Sequence, residues 1–198
     1  MSTKEIYARR SIRKYKQDEV PEAVLNQILD AARMAPSGKN KQPWRFVVYG
    51  GDKKAELLSA MKSGIRREHS GEPLLPESAY GLPDAVNTLR IMQEAPLVVM
   101  VVNPYGKSPF GSITADERVT EIIDSLSIGA AIQNMLLKAE ELGVGTLWVG
   151  NTCFAYPELA AYMKVEGQLT GGVVLGYADE MPAERPRKAL SDLVEYCL

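Results

Sequence analysis

The sequence predicts one α+β domain over residues 1–198, with strands interleaved among helices. Three observations carry that prediction. A length of 198 residues suits one domain of ordinary size. With 45% hydrophobic and 24% charged residues, the chain has the composition of a globular protein with enough apolar material for a core. Short Val-rich runs bounded by glycine or proline alternate with longer segments of helical period.

The elements follow in order. In "STKEIYAR", Ser2 and Glu5 stand at capping-box spacing and predict a short helix leading into a basic cluster. Val24, Leu25, Ile28, Leu29 and Ala32 recur on one face of a helix predicted over Pro21–Ala35, with Pro21 in its first turn. "APSGKNKQPW" ends that helix and reads as a loop. A strand is expected over Phe46–Tyr49 and a helix over "DKKAELLSAMKSGI". Between Glu68 and Asp84, three prolines and two glycines predict a mobile surface loop and candidate lid, set in a variable region over 63–89. "PLVVMVVN" has the continuous apolar character of a strand buried on both faces. Thr114–Leu142 reads as the longest helix, apolar nearly all round in its middle, and so a central one. Gly129 inside it suggests close approach of a neighbouring backbone. "GVGTLWVG" is a strand, "YPELAAYM" a short helix and "GGVVLGYA" another buried strand. A tail over 179–198 runs extended through its proline-rich part, and "LSDLVEYCL" is expected to close as a short helix.

Several function classes fall away at this level. The formal net charge of −2 argues against a dedicated nucleic-acid binder. The N-terminus has no apolar core of a secretory signal, and "APLVVMVV" is far too short to cross a bilayer. Cys153 and Cys197 form no CxxC pair and read as packing residues, so a reducing cytoplasm is the expected setting. "GKS" at 106–108 has Val101 where a P-loop needs its leading glycine, and GxGxxG is absent. His69 is expected on the surface; neither a metal site nor a hydrolase triad is visible.

A chain with no evident acid, base or nucleophile can still be an enzyme if a cofactor carries the chemistry. In "ARRSIRKYKQDEV", Arg9, Arg10 and Arg13 can fork onto phosphate oxygens, with the Ser11 hydroxyl adding a neutral hydrogen bond. Three arginines within five residues repel one another, and a bound anion would relieve that. The bland alternative is a solvated basic turn, with Lys14 and Lys16 in solvent in either case. In "APSGKNKQPWRF", Ser37, Asn40 and Gln42 suit the alternating C=O and N–H edge of a heterocycle, or else simply bond the loop to itself above a core Trp44.

"RRSIRKY" followed after one helix by "APSGKNKQPWRF" resembles the opening of the FMN-dependent nitroreductase family. "IIDSLSIGAAIQNMLLKAEELGVGTLWVG" is similar to that family's central dimer helix and the glycine-rich strand after it, and "GGVVLGYADEMPAERPRKAL" to its closing strand and basic tail. The resemblance covers nearly the whole chain in order. It implies a nitroreductase-like fold, a central mixed but largely antiparallel sheet flanked by helices, with the long central helix at a homodimer interface. It further implies that Arg9, Arg10, Ser11 and Arg13 hold the FMN phosphate and ribityl chain, and that Arg185 and Arg187 reach the same phosphate, with Lys188 able to replace either. Pro36, Ser37, Gly38 and Asn40 would face the FMN of the other subunit. Leu147, Trp148, Val149 and Gly150 would run along the isoalloxazine with backbone N–H groups near its N5 edge.

The implied activity uses NAD(P)H as a transient donor and passes electrons by a ping-pong mechanism to a small acceptor such as a nitroaromatic or quinone. The wider superfamily also includes dehalogenating, dehydrogenating and flavin-fragmenting members. The chain departs from better-known relatives between Ser63 and Leu89, which leaves substrate choice open. A competing reading from another class is a basic-patch module that binds nucleic acid or an acidic partner. The negative net charge and the polar "SGKNKQ" loop both count against it.

Overall fold

The computed structural model describes residues 4–198. Helices α1 (Lys4–Ala8) and α2 (Glu22–Arg33) precede strand β1 (Arg45–Tyr49). Helices α3 (Gly51–His69) and α4 (Leu82–Glu94) lead to β2 (Leu97–Asn103) and then α5 (Ala115–Glu141). Strand β3 (Gly145–Val149), helix α6 (Tyr156–Met163) and strand β4 (Gln168–Gly176) complete the regular elements. Ser2, half of the expected capping box, lies outside the described residues.

The sheet has the order β1-β2-β4-β3, and each neighbouring pair is antiparallel. Beside it, an isolated parallel bridge joins Ser11 to Thr146 and an antiparallel one joins Tyr15 to Ala178. Strand β2 is buried on both faces, as its unbroken apolar run predicts. Strand periodicity then divides its residues between two cores. Val98, Met100 and Val102 pack with Leu57 and Met61 of α3, Met92 of α4 and Leu159 of α6. Val99 and Val101 pack with Ile28 of α2 and with Ile132 and Met135 of α5. Burial on both faces, usual for parallel sheets, is achieved here by an antiparallel one because helices cover each side.

Helix α5 begins at a capping box: the Glu117 N–H donates to Thr114 Oγ1 at 3.3 Å, and the Thr114 N–H donates to Glu117 Oε2 at 2.9 Å. Its C-terminal half is core, including Ile128, Ile132, Met135 and Ala139. The N-terminal half leaves Val119, Ile122, Ile123 and Leu126 exposed. The neighbour at Gly129 is a side chain and not a backbone: a Cβ there would meet Trp148 Cη2 at an ordinary 3.7 Å.

Four expectations are corrected. Most of the 63–89 region is helical, since α3 runs to His69, a 3-10 segment covers Pro76–Gly81 and α4 starts at Leu82. Pro83 sits in the first turn of α4, where a missing N–H costs nothing, so it starts a helix where a loop was expected. The turn at 70–75 is tied down by Glu68, a buried residue whose carboxylate accepts the N–H groups of Leu74 (3.0 Å) and Leu75 (3.3 Å). "LSDLVEYCL" forms only a 3-10 turn at Leu190–Asp192, without buried residues to stabilise a longer helix. Cys197 is exposed and so is not the packing residue expected, whereas half-buried Cys153 packs against the α3/α4/α6 core. His69 is exposed as expected, and no helix among the described residues is long and apolar enough to cross a membrane.

Candidate functional site

Residues 9–16 are irregular backbone pinned at several points. The Ile12 N–H donates to the Thr146 carbonyl on the outer edge of β3 at 2.9 Å, and the Lys16 N–H to the Tyr177 carbonyl at 2.9 Å. The Asp179 N–H donates to the Lys14 carbonyl at 3.0 Å. Tyr15 is buried and its hydroxyl donates to the Ile12 carbonyl at 2.8 Å. Burial, reinforced by the Glu180 carboxylate, pushes that hydroxyl's pKa far above its usual value, so it stays protonated and keeps donating. Ile12 and Tyr15 face inward, which leaves Arg9, Arg10, Ser11 and Arg13 half-buried around a cavity and Lys14 and Lys16 in solvent.

That cavity, of about 340 Å³, is lined by Arg9, Arg10, Ser11, Arg13, Arg185 and Arg187, with Glu184 and Pro182–Ala183 of the tail completing its wall. Five arginines thus line one space with one glutamate among them. The two ends of the chain, 172 residues apart between Arg13 and Arg185, supply the two sides of that space. Lys188 does not line it.

The arginines are not equivalent. Arg10 donates through one nitrogen to the carbonyls of Tyr7 (2.6 Å), Ala8 (3.0 Å) and Arg9 (3.0 Å) at the end of α1, and its other terminal nitrogen lies 3.6 Å from Glu184. Arg10 therefore organises the segment and holds the tail, and less of it is left for a ligand. Arg13 donates only to the Ser11 carbonyl, at 3.1 Å. Glu180 is a residue that sequence reasoning missed: its Oε1 accepts the backbone N–H groups of Arg13 and Lys14 and so ties the turn that carries Arg13 to the C-terminal tail. Nothing local in "ADEMPAERPRK" marks that carboxylate, because its partners lie more than 160 residues away.

Strand β3 is the sheet edge beside this segment. Thr146 turns its carbonyl outward to Ile12, so antiparallel alternation also turns the backbone of Trp148 to the open edge. The Trp148 indole is 47% exposed and Gly150 beyond it is open: a Cβ there would meet nothing within 4 Å. Leu147 and Val149 point into the core. Of the four residues expected along a flat ligand, Trp148 and Gly150 are the accessible ones.

The Pro36–Gln42 loop is not part of the basic cavity; it docks on α5 of its own chain. A Cβ at Gly38 would lie 2.5 Å from Ile123 Cγ2, which explains the glycine. The Gly38 N–H donates to Ser127 Oγ at 3.3 Å. Lys39, Asn40 and Gln42 have φ of 53°, 55° and 51°. Left-handed conformations in non-glycine residues cost about 1–3 kcal/mol each and persist where surroundings enforce them. Ser37 Oγ accepts the Gln42 N–H at 2.9 Å, and Gln42 Nε2 donates to Asn40 Oδ1 at 3.3 Å. The three polar side chains thus bond the loop to itself, while Trp44 is half-buried against the α2/α5 core.

Comparison with known proteins agrees with this architecture. The profile described as Nitroreductase family matches residues 6–177. The Bacillus subtilis protein YfhC, which bears the name of an NAD(P)H nitroreductase, is 28% identical over 190 residues, covering 94% of this chain and 89% of that protein. The FMN-dependent nitroreductase NfnB from Mycobacterium smegmatis, solved in complex with NADPH, superposes with a TM-score of 0.74 at 21% identity, covering 98% of this chain and 97% of that one. A BluB-like flavoprotein from Clostridium difficile 630 superposes with a TM-score of 0.75 at 23% identity, covering 99% and 98%.

Proposed function

The chain belongs to the nitroreductase family, and from that premise we propose that it is an FMN-dependent NAD(P)H oxidoreductase working as a homodimer. The observation that carries the reading is the cavity into which Arg9, Arg13, Arg185 and Arg187 converge from opposite ends of the chain. A phosphomonoester carries about −1.5 to −2 charges at neutral pH, and forked guanidinium donors match its oxygens in both charge and geometry. The donor set therefore fits the phosphate of FMN. The open space at Gly150 and the outward edge at Trp148 leave room for a flat ring beside the strand.

In this reading Arg9, Arg13, Arg185 and Arg187 seat the phosphate, Ser11 adds a hydroxyl donor, and Arg10 and Glu180 hold the seat in shape. Backbone N–H groups at 148–150 would orient the isoalloxazine edge, and the Trp148 indole would shield it from water. Bound FMN supplies the electron-transfer chemistry that no side chain here provides. NAD(P)H and a small acceptor such as a nitroaromatic or quinone would occupy one slot in turn. A transient donor of that kind needs no dinucleotide cradle, consistent with the absent GxGxxG.

The homodimer part of the reading rests on α5. Its exposed Val119, Ile122, Ile123 and Leu126 form an apolar stripe beside the docked Pro36–Gln42 loop, so pairing two copies through this stripe would carry Pro36, Ser37, Gly38 and Asn40 to the partner's flavin.

Purified protein is expected to be yellow and to release FMN, and not FAD, on acid treatment. Without oxygen or an acceptor it is expected to oxidise one equivalent of NADH or NADPH per bound flavin, and to turn over continuously once a quinone or nitroaromatic is supplied. Colourless protein that takes up no added FMN overturns the reading.

A further inference from the structure

The loop that presents Ser37, Gly38 and Asn40 follows a left-handed path that one backbone hydrogen bond, from the Gly38 N–H to Ser127 Oγ at 3.3 Å, ties to α5. A second, charged tie comes from Lys41. This residue sits between Asn40 (φ 55°) and Gln42 (φ 51°) and itself has right-handed helical geometry (φ −67°). Its side chain leaves the loop and places Nζ 2.6 Å from Asp124 Oδ2.

Asp124 is 2% exposed, on the inward side of α5, one residue beyond Ile123, which fills the space at Gly38. A carboxylate buried to that degree is retained only where its charge is matched and its lone pairs are used. Asp124 Oδ2 accepts a second hydrogen bond from Asn103 Nδ2 at 3.2 Å. Asn103, at the end of β2, is fully buried, and its Oδ1 accepts the Tyr105 N–H at 3.0 Å. The Tyr105 ring in turn lies under the Lys41 ammonium, 4.8 Å from centroid to Nζ. The lysine is thus held from two sides by groups that are themselves fixed by the sheet and the central helix.

We propose that the Lys41–Asp124 pair, backed by Asn103, is the positioning device that holds the Pro36–Gln42 loop in its left-handed path. Resting on the reading above, it keeps Ser37, Gly38 and Asn40 in register with the ring and ribityl part of the flavin. Lys41 and Asp124 are positioning residues that act through the loop and do not touch the cofactor. This role differs from that of the arginine cavity, which addresses the phosphate alone.

The two roles separate when ligands with and without a phosphate are compared. The variants are Lys41→Met, which removes the charge and keeps the stem, Asp124→Asn, the double variant, and Lys41→Arg. Two readouts are taken: amide hydrogen exchange of the flavin-free protein, and affinities for FMN and for riboflavin. In Lys41→Met and Asp124→Asn, exchange over residues 36–42 is expected to rise roughly tenfold while β1 and α2 are unchanged. FMN and riboflavin affinities are expected to fall together by roughly tenfold. The double variant should be no worse than either single one, and Lys41→Arg should restore both readouts. Unchanged exchange over 36–42 in Lys41→Met overturns the proposal, as does a loss confined to FMN, which would put Lys41 at the phosphate. A wild-type protein that binds neither flavin overturns the flavin reading, and the exchange measurement still decides the role of the clamp.

Discussion

Replacing Arg9 and Arg13 together by alanine is expected to weaken FMN binding by about two to four powers of ten. Each guanidinium is assigned one or more charge-assisted hydrogen bonds to the phosphate, worth about 1.5–3 kcal/mol apiece, and 1.4 kcal/mol is a factor of ten. Stability should barely move. Among the described residues the Arg13 side chain donates one hydrogen bond, to the Ser11 carbonyl, and the turn is held by Ile12, Tyr15 and the Glu180 carboxylate that accepts backbone N–H groups, all of which the double variant leaves intact. Titration of the flavin-free variant with FMN, followed by flavin fluorescence, measures the first effect, and a thermal melt the second. A loss below threefold would remove these arginines from the cofactor's seat.

Glu68→Ala is expected to be the most damaging single change to the fold around the site, costing about 3 kcal/mol. The Glu68 side chain is 1% exposed and receives the Leu74 and Leu75 N–H groups and Arg67, 2.5 Å away. Removing it takes the acceptor from both N–H groups, at about 1–3 kcal/mol for the half-buried Leu75 donor and less for exposed Leu74, whose N–H can turn to water, with the lost Arg67 pairing added to that. Arg67 would lose one of its two carboxylates but keep Glu158, at 2.7 Å, and the Phe154 carbonyl, at 3.2 Å. Phe154 lies in the 3-10 segment Asn151–Ala155 that continues from β3, so the latch also steadies the wall beyond Gly150.

The effect depends on pH in a definite direction. Burial alone would raise the Glu68 pKa, but the Leu74 N–H, the Arg67 guanidinium and the Leu75 N–H outweigh it and hold the pKa below the ordinary 4.5. A carboxylate depressed in the folded state stabilises fully above the unfolded value and loses that contribution as pH falls through the folded one. The stability gap between wild type and Glu68→Ala in urea should therefore be full at pH 7 and shrink below pH 4.5. A gap under 1 kcal/mol at pH 7 would mean that the latch carries nothing.

Strand β2 and helix α5 were legible in the sequence because each is long, strongly apolar and bounded by clear stops. Helix α4 was not, although Ala85, Thr88, Leu89, Ile91 and Met92 bury one helical face. The prolines at 73, 76 and 83 read as a loop, yet one of them occupies the first helical turn, where proline belongs. In the site, the crowding of Arg9, Arg10 and Arg13 was legible as a feature needing a reason, with a bound anion and a solvated turn both open, and the structure adds that all three line one cavity. That Arg185 and Arg187 line the same cavity was expected from the family resemblance alone, since it depends on how the chain closes on itself and no local pattern encodes that. Nor does one mark Glu180, Glu184 or the Lys41–Asp124 pair, whose partners lie between 83 and 174 residues away. Side chains that act through long-range contacts leave no periodicity to read.

If the arginine cavity seats the phosphate of the flavin, the wild-type protein will distinguish FMN from riboflavin by affinity. The two ligands share ring and ribityl chain and differ only in the phosphate. FMN is expected to bind at least a hundredfold more tightly than riboflavin, since two charge-assisted hydrogen bonds are worth about 3 kcal/mol or more. Equal affinities would contradict the account, because they would leave the converging arginines with no part in holding the cofactor.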